Sequence, residues 1–390
     1  MDRRGIAVLG STGSIGKTTL EVVDAFPDRF RVVALTANRS AGALLEQVGR
    51  FSPDVAVLVD ADSAAAGGTP GTQLLSGWGA VLEVVARPDV DIVVNALVGA
   101  AGLEPTLVAL AAGKRVALAN KESLVVGGSL VMRALEDGGG ELIPVDSEHS
   151  AVFQCLQGAS LESVRRVVLT ASGGPFRDRD PLELSGVTPG EALRHPTWNM
   201  GAKITVDSAT LVNKALEVVE AHFLFGLPYD RVDVVIHPQS IVHSLVQFRD
   251  GSVLAQLGYP TMAVPVQYAL NYPERLPFDT PSLDLAEVGA LTFEPIRAGR
   301  FPAFELGRAA ALRGGTAPAV FNAASEEAVA AFLAEGIAFT EIPEVIGAVL
   351  GGHEVEEPTA LDVVRRADAW ARQTARATVD KIRANSQRSA

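Results

Sequence analysis

IAVLGSTGSIGKTTLEVVDAF, residues 6–26, is the stretch whose reading decides the fold. Ile6–Leu9 reads as a short buried strand, Gly10-Ser11-Thr12-Gly13-Ser14-Ile15-Gly16 as a turn, and the apolar spacing beyond it as an amphipathic helix reaching about Phe26. Glycines allow the tight turn and let the backbone approach a pyrophosphate, which then sits on the N–H groups at the helix N-terminus. The spacing is G-x-x-G-x-x-G rather than the commoner G-x-G-x-x-G. Its weight therefore comes from the strand before it and the helix after it.

The next strand, Arg31–Ala37, ends where an NAD-binding unit presents an acidic residue to the ribose hydroxyl, and here the chain reads Asn38-Arg39-Ser40. A cation flanked by two small hydrogen-bonding side chains suits a 2′-phosphate and favours NADP over NAD; the plain alternative for Arg39 is a surface charge. Strands near Val55–Val59, Asp91–Ala96, Arg115–Ala119 and Glu141–Val145 follow, with helical segments between most of them. This βαβ alternation predicts a Rossmann-like parallel sheet, whose ligands bind at the carboxyl ends of the strands. Two such ends are rich in functional groups: Asn120-Lys121-Glu122-Ser123 and Asp146-Ser147-Glu148-His149. Asp146 and Glu148 read either as a helix N-cap with a first-turn dipole partner or as oxygen ligands for Mg²⁺ or Mn²⁺.

Farther along, HPTWNMGAKITVDSATLVNKALEVVE, residues 195–220, joins a loop to a helix whose apolar spacing begins after Ser208. Asn213, Lys214 and Glu217 share one broad face of that helix. They form either an anion-and-cation patch or a solvated Lys214–Glu217 pair. A strand at Val164–Thr170 precedes Ala171-Ser172-Gly173-Gly174-Pro175-Phe176, where small residues bring Ser172 and backbone donors close to a ligand. The loop pairing His195 with Trp198 reads as a lid over a substrate or as a surface loop anchored by a buried indole.

IVHSLVQF and SVLAQL, separated by Arg-Asp-Gly, form a hairpin with Asp250-Gly251 in its turn. His237 and His243 read as structural. Candidate helices lie near Ala303–Arg313, Ala317–Glu335, Ile342–Leu350 and Ala360–Asn385. The fold class expected is α/β, with an N-terminal Rossmann-like parallel-sheet domain (1–145), a central α/β catalytic domain with a mixed or antiparallel sheet (146–271), a Pro-rich linker (272–302) and a C-terminal α-helical domain (303–390).

The bulk properties agree with a globular protein of more than one domain. The 390 residues are 48% apolar and 20% charged. Thirty-three basic against 46 acidic residues leave a formal charge of -13, and no Lys/Arg run offers a nucleic-acid face. Cys155 is the single cysteine, so no internal disulfide forms and a reducing cytoplasm is expected. That thiol reads as a core residue before a nucleophile. The start of the chain, MDRRGIAVLG, reads neither as a signal peptide nor as a membrane span, and no window is apolar for the length a span requires.

GSTGSIG, NKES, VDSEHSA, ASGGPF, HPTWNMGAKITVDSATLVNKALEVVEAH and IHPQSIVHSLVQFRDGS, in this order, closely resemble the 1-deoxy-D-xylulose 5-phosphate reductoisomerase family from about residue 5 to the C-terminus. The resemblance implies an NADPH- and divalent-metal-dependent rearrangement and reduction of 1-deoxy-D-xylulose 5-phosphate to 2-C-methyl-D-erythritol 4-phosphate, in the non-mevalonate isoprenoid route. It also implies a homodimer formed through the hairpin region. By the same resemblance Thr12, Gly13, Ser14 and Ile15 hold the NADPH pyrophosphate, Asn38, Arg39 and Ser40 lie near the adenosine phosphate, and Asn120, Glu122 and Gly201 line the cofactor site. Asp146, Glu148 and Glu217 match the metal ligands. Ser172, Ser208, Asn213 and Lys214 match the phosphate site, while Lys121, Ser147 and Glu148 meet the reacting carbon chain. His195 and Trp198 match the closing loop. Departures are small: many members carry a glycine within Ala37-Asn38-Arg39-Ser40, and Asn199 stands where Ser is frequent. Two rivals are a semialdehyde-type dehydrogenase, which needs a thiol nucleophile such as Cys155, and a non-catalytic NADP(H) sensor, which leaves the three carboxylates without a purpose.

Overall fold

The structure is a computed structural model that describes residues 3–60, 70–198 and 200–389. The chain divides into two compact units, one of Met1–Ser123, Ser129–Ser150 and Thr261–Pro281, the other of Leu124–Gly128, Ala151–Pro260 and Ser282–Ala390.

Up to residue 155 the chain runs β1 (Arg4–Leu9), α1 (Ser14–Ala25), β2 (Phe30–Ala37), α2 (Ala41–Phe51), β3 (Val55–Leu58), β4 (Gln73–Ser76), α3 (Trp78–Ala86), β5 (Ile92–Asn95), α4 (Leu103–Ala111), β6 (Arg115–Leu118), α5 (Glu122–Gly138), β7 (Glu141–Pro144) and α6 (Ser147–Cys155), all in the first unit except Leu124–Gly128 of α5 and Ala151–Cys155 of α6. The strands make one sheet in the order β4-β3-β2-β1-β5-β6-β7, with every neighbouring pair parallel. Helices cover both faces of such a sheet, so its inner strands read as unbroken apolar runs. Ile6–Leu9, Val55–Leu58 and Ile92–Asn95 are buried throughout. Strand order reverses between β1 and β5, which opens the crevice where an open α/β sheet takes its ligand.

β4 escaped the sequence reading. QLLS is short, mostly exposed and lies at the sheet edge, so neither alternation nor an apolar run betrays it.

The second unit continues with β8 (Val164–Ala171), α7 (Pro189–Ala192), α8 (Ala202–Thr210), α9 (Val212–Phe225), β9 (Val232–Ile236), β10 (Val242–Phe248) and β11 (Val253–Leu257). α10 (Ala263–Asn271) then belongs to the first unit, where it packs on α1. Arg4 donates to the Leu270 carbonyl at 2.9 Å, Arg115 to the Tyr272 carbonyl at 2.9 Å, and Arg29 pairs with Glu274. Packing therefore groups residues 261–281 with the nucleotide-type sheet, where the sequence had assigned them to the central domain and the linker.

α11 (Leu285–Val288), β12 (Glu294–Pro295), α12 (Pro302–Arg313), α13 (Ala317–Leu333), α14 (Ile342–Gly351) and α15 (Leu361–Ser389) complete the second unit. Its sheet, β11-β10-β8-β9-β12, is mixed: β8 and β9 are parallel, and the other pairs antiparallel. The Pro-rich arm is thus more than a linker, because Glu294 and Pro295 add an edge strand to β9. Proline is tolerated there because an edge strand needs no donor on its outer side.

α12–α15 pack through alanines, with Phe321 and Phe332 filling the interior. Phe332 meets Phe339 edge-on at 5.7 Å, and Phe339 meets Phe176 at 5.2 Å. Arg372 on α15 reaches Glu326 of α13 at 2.6 Å, and Arg376 reaches Glu327 at 2.8 Å. Among the described residues no helix is long and apolar enough to cross a membrane. Phe332 is 1% exposed, so Phe332→Ala is expected to cost about 3–5 kcal/mol, read as a lowered urea midpoint followed through the helical signal.

Candidate functional site

The first unit offers an anion site at the start of α1. No side chain caps this helix, and its first turn carries no acidic residue, so its N–H groups and dipole face outward for an anion. Gly16 is obligatory: a Cβ there would fall 2.6 Å from the Ser11 carbonyl carbon. Ser11 ties the turn to its neighbours, donating to the Gln47 side chain at 2.7 Å while its N–H reaches the Thr36 carbonyl at 2.9 Å. Gly13 and Ser14 are exposed, and Thr12 and Ile15 partly so. Asn38, Arg39 and Ser40 are exposed at the end of β2. Arg39 holds Asp60 at 2.9 Å with its own side chain 78% exposed. A pair so open to water contributes little, so the guanidinium is cheaply released to a phosphate. These residues fit a phosphorylated dinucleotide.

The loops after β6 and β7 bring Lys121 to Asp146. Their side chains form an ion pair, with both residues buried. Burial pushes the Asp146 carboxyl up, but the Lys121 ammonium and then His149 outweigh it and hold it well below the usual carboxylate range. His149, to which the sequence assigned no role, is fully buried with Nδ1 3.5 Å from Asp146. Asp146 also caps α6, though loosely, accepting from the Glu148 N–H at 3.4 Å. Ser147 donates to the Glu148 carboxylate at 2.7 Å. Charged oxygens in a buried setting suit a hard divalent cation.

Asn120 anchors the junction between β6 and α5. Its amide donates to the Leu97 and Gly99 carbonyls at 3.0 and 2.9 Å and to Glu122 at 3.1 Å. Its oxygen accepts from the Ser123 N–H at 3.0 Å. This knot fixes the backbone on either side of Lys121.

In the second unit Ser172, His195 and Ser208 converge. His195 Nε2 lies 3.0 Å from Ser172 Oγ and 3.1 Å from Ser208 Oγ, and Ser172 accepts from the Gly174 N–H at 3.1 Å. Helix geometry differs from the reading that began after Ser208: α8 starts at Ala202, stops at Thr210, and restarts as α9 beyond Leu211. On α9, Glu217 is 1% exposed, accepts from the Asn213 amide at 2.5 Å and pairs with Lys214, itself buried. The expected face is therefore real, and it is not a solvated one.

Gly201 is the N-cap of α8, exposed and in this unit. Trp198 lies 6.4 Å from the His243 ring. Asn199 lies outside the described residues. His237 is structural as expected: Nε2 accepts from the Ile241 and Val242 N–H groups, both at 3.1 Å, and Nδ1 faces the Thr292 carbonyl at 2.8 Å.

His195 Nδ1 accepts from the Thr197 and Trp198 N–H groups at 3.2 and 2.9 Å. A neutral ring must then carry its proton on Nε2, aimed at the serine hydroxyls. Burial lowers the pKa of this ring, so the unfolded chain takes up a proton first as pH falls. The ring's contribution to stability is full above about pH 6.5, the unfolded value, and is lost as pH drops from there toward the folded value. Nitrogen-15 spectra are expected to show the Nε2–H tautomer with a midpoint below 6.5, and His195→Gln to flatten this part of the stability profile.

Three family profiles match the chain: 1-deoxy-D-xylulose 5-phosphate reductoisomerase over residues 6–128, the C-terminal domain of the same enzyme over 142–225, and a DXP reductoisomerase C-terminal domain over 257–374. A 1-deoxy-D-xylulose 5-phosphate reductoisomerase from Burkholderia pseudomallei (strain 668) is 51% identical over 97% of this chain and 98% of its own length. Among solved structures, the reductoisomerase from Zymomonas mobilis in complex with NADPH superposes with a TM-score of 0.90 at 40% identity, covering 97% of this chain and 99% of that one. A DOX-P reductoisomerase bound to NADPH, fosmidomycin and magnesium gives 0.90 at 40% identity over 97% and 98%. With this identity across nearly the whole of both chains, the protein belongs to the 1-deoxy-D-xylulose 5-phosphate reductoisomerase family.

Proposed function

We infer that the protein converts 1-deoxy-D-xylulose 5-phosphate to 2-C-methyl-D-erythritol 4-phosphate with NADPH and a divalent metal ion, supplying the non-mevalonate route to isoprenoid precursors. The observation that carries this reading is 51% identity to a reductoisomerase over 97% of the chain. When bound, the ion polarises substrate oxygens and NADPH provides the hydride.

The chain's own residues do the rest. Asp146, Glu148 and Glu217 are the oxygen donors for the ion. Thr12, Gly13, Ser14 and Ile15 receive the pyrophosphate, and Arg39, with Asn38 and Ser40, receives the adenosine phosphate. Asn120, Glu122 and Gly201 complete the cofactor site. Ser172, Ser208, Asn213 and Lys214 grip the substrate phosphate, and His195 adds its Nε2–H. That remote binding energy positions the reacting carbons. Lys121 donates to the substrate hydroxyls and to developing oxyanion charge, with Ser147 and Glu148 orienting the chain. Trp198 closes over the substrate and excludes water.

Either Mg²⁺ or Mn²⁺ serves, because both take carboxylate oxygen. The lone cysteine supports a cytoplasmic location. A homodimer through the hairpin is supported by β11, an edge strand with Val253 and Leu254 each 50% exposed.

NADPH oxidation that requires both deoxyxylulose phosphate and Mg²⁺ or Mn²⁺ tests the activity; turnover without either component would refute it. Glu217→Gln is expected to lower kcat by about 100-fold with NADPH affinity retained, and near-normal turnover would remove Glu217 from the metal site. Arg39→Ala should raise KM for NADPH about tenfold, the loss of a charged hydrogen bond, and leave KM for NADH unchanged. Cys155→Ser should be fully active, which a thiol-dependent dehydrogenase would not be.

A further inference from the structure

One residue joins the two helices of the phosphate grip. Leu211 is at once the C-cap of α8 and the N-cap of α9, with φ 57° and ψ 16°, in the left-handed region. Its N–H reaches the Ser208 carbonyl at 3.3 Å, and its own carbonyl accepts from Ala215 at 3.1 Å. Glycine is the ordinary occupant of such a position, because a Cβ opposes it. Four non-glycine residues have positive φ among the described residues, Ser52, Leu211, Ser240 and Glu335, and Leu211 alone of these carries a large apolar side chain.

That side chain is 2% exposed, in the core formed with Val206, Val212, Ala215 and Phe301. Thr210 supports the same corner: its hydroxyl lies 3.1 Å from the Val206 carbonyl and 3.4 Å from the Val212 N–H. The end of α8 is fenced from the other side by Gly174, with φ +70°, where a Cβ would come within 2.8 Å of both Ala209 Cα and the Ser208 carbonyl oxygen.

The break decides which way the phosphate donors point. In an unbroken helix each residue turns about 100°, so Asn213 and Lys214 would lie about 140° and 240° around the axis from Ser208, facing elsewhere. A single left-handed residue re-aims the second helix without inserting a flexible loop. Leucine adds what glycine lacks, an apolar anchor that locks the corner before the substrate arrives.

We infer that Leu211 is a positioning residue: its buried side chain holds a left-handed corner that aligns Ser208 with Asn213 and Lys214 on the substrate phosphate. This rests on the assignment of those three residues to the phosphate site.

The test compares Leu211→Ala, Leu211→Gly, Leu211→Val and Leu211→Met. Alanine and glycine lose the same anchor, but only glycine accepts the backbone angle. The expected result is a rise in KM for 1-deoxy-D-xylulose 5-phosphate of about tenfold or more in the alanine variant and about threefold or less in the glycine variant, misalignment being the cause. NADPH affinity should be unchanged in both. Valine keeps most of the apolar volume but resists the left-handed region, and should behave like alanine; methionine should restore wild-type KM. Equal KM values for alanine and glycine, or a valine variant matching wild type, would overturn the inference and leave Leu211 a core residue only. If the alanine variant does not fold, the valine and methionine pair decides. Ser208→Ala separates the two levels: an unchanged substrate KM there refutes the phosphate assignment itself, whereas a raised KM with no dependence on the residue at 211 refutes the corner alone.

Discussion

A carboxylate removed from water must meet a compensating charge, and this requirement organises the buried charges of both units. Asp146 and Glu217 are each buried and each paired with a buried lysine, Lys121 and Lys214. Deleting one member of such a pair costs about 3–5 kcal/mol, because the other is left uncompensated. The charges are therefore assembled by folding, before any ligand arrives. This is preorganisation: the charged groups are already fixed in low-dielectric surroundings before anything binds.

The two units reach this state differently. The parallel sheet delivers Lys121 and Asp146 from the ends of adjacent strands, β6 and β7, and the Asn120 knot holds the backbone between strand and helix. Strand ends make good mounts because the ladder beneath them is rigid. The second unit uses helices: α8 carries Ser208 and α9 carries Lys214 and Glu217, and a glycine loop after β8 brings Ser172 to the same histidine as Ser208. His195 is trimmed to a single role by its backbone contacts, which take Nδ1 as an acceptor and leave Nε2–H to donate.

Much of this was legible in the chain. Apolar runs ended by polar clusters located six of the seven parallel strands, and the glycine turn marked the junction of β1 and α1. Asp146 and Glu148 stood out as two carboxylates directly after a strand, readable as a helix cap or as metal ligands, and Asp146 does accept from the first turn of α6. What stayed hidden had physical causes. β4 is too short and exposed to carry a pattern. β12 is two residues within a Pro-rich arm. The break at Leu211 left no mark, since Thr210-Leu211-Val212 continues the helical spacing and only glycine or asparagine would have announced a left-handed residue. Burial of the Lys214–Glu217 pair was undecidable from the helix alone, because what covers it comes from other elements.

The isolated thiol gives the molecule a practical handle. Cys155 is partly accessible and ends the helix whose first turn carries Ser147 and Glu148. A chain with one sulfhydryl takes one fluorophore or spin label, with no background from other sites. Attached there, a reporter sits seven residues along the helix from Glu148, about 10 Å away at the helical rise. That separation is short enough for the reporter to sense what binds at the first turn of the helix.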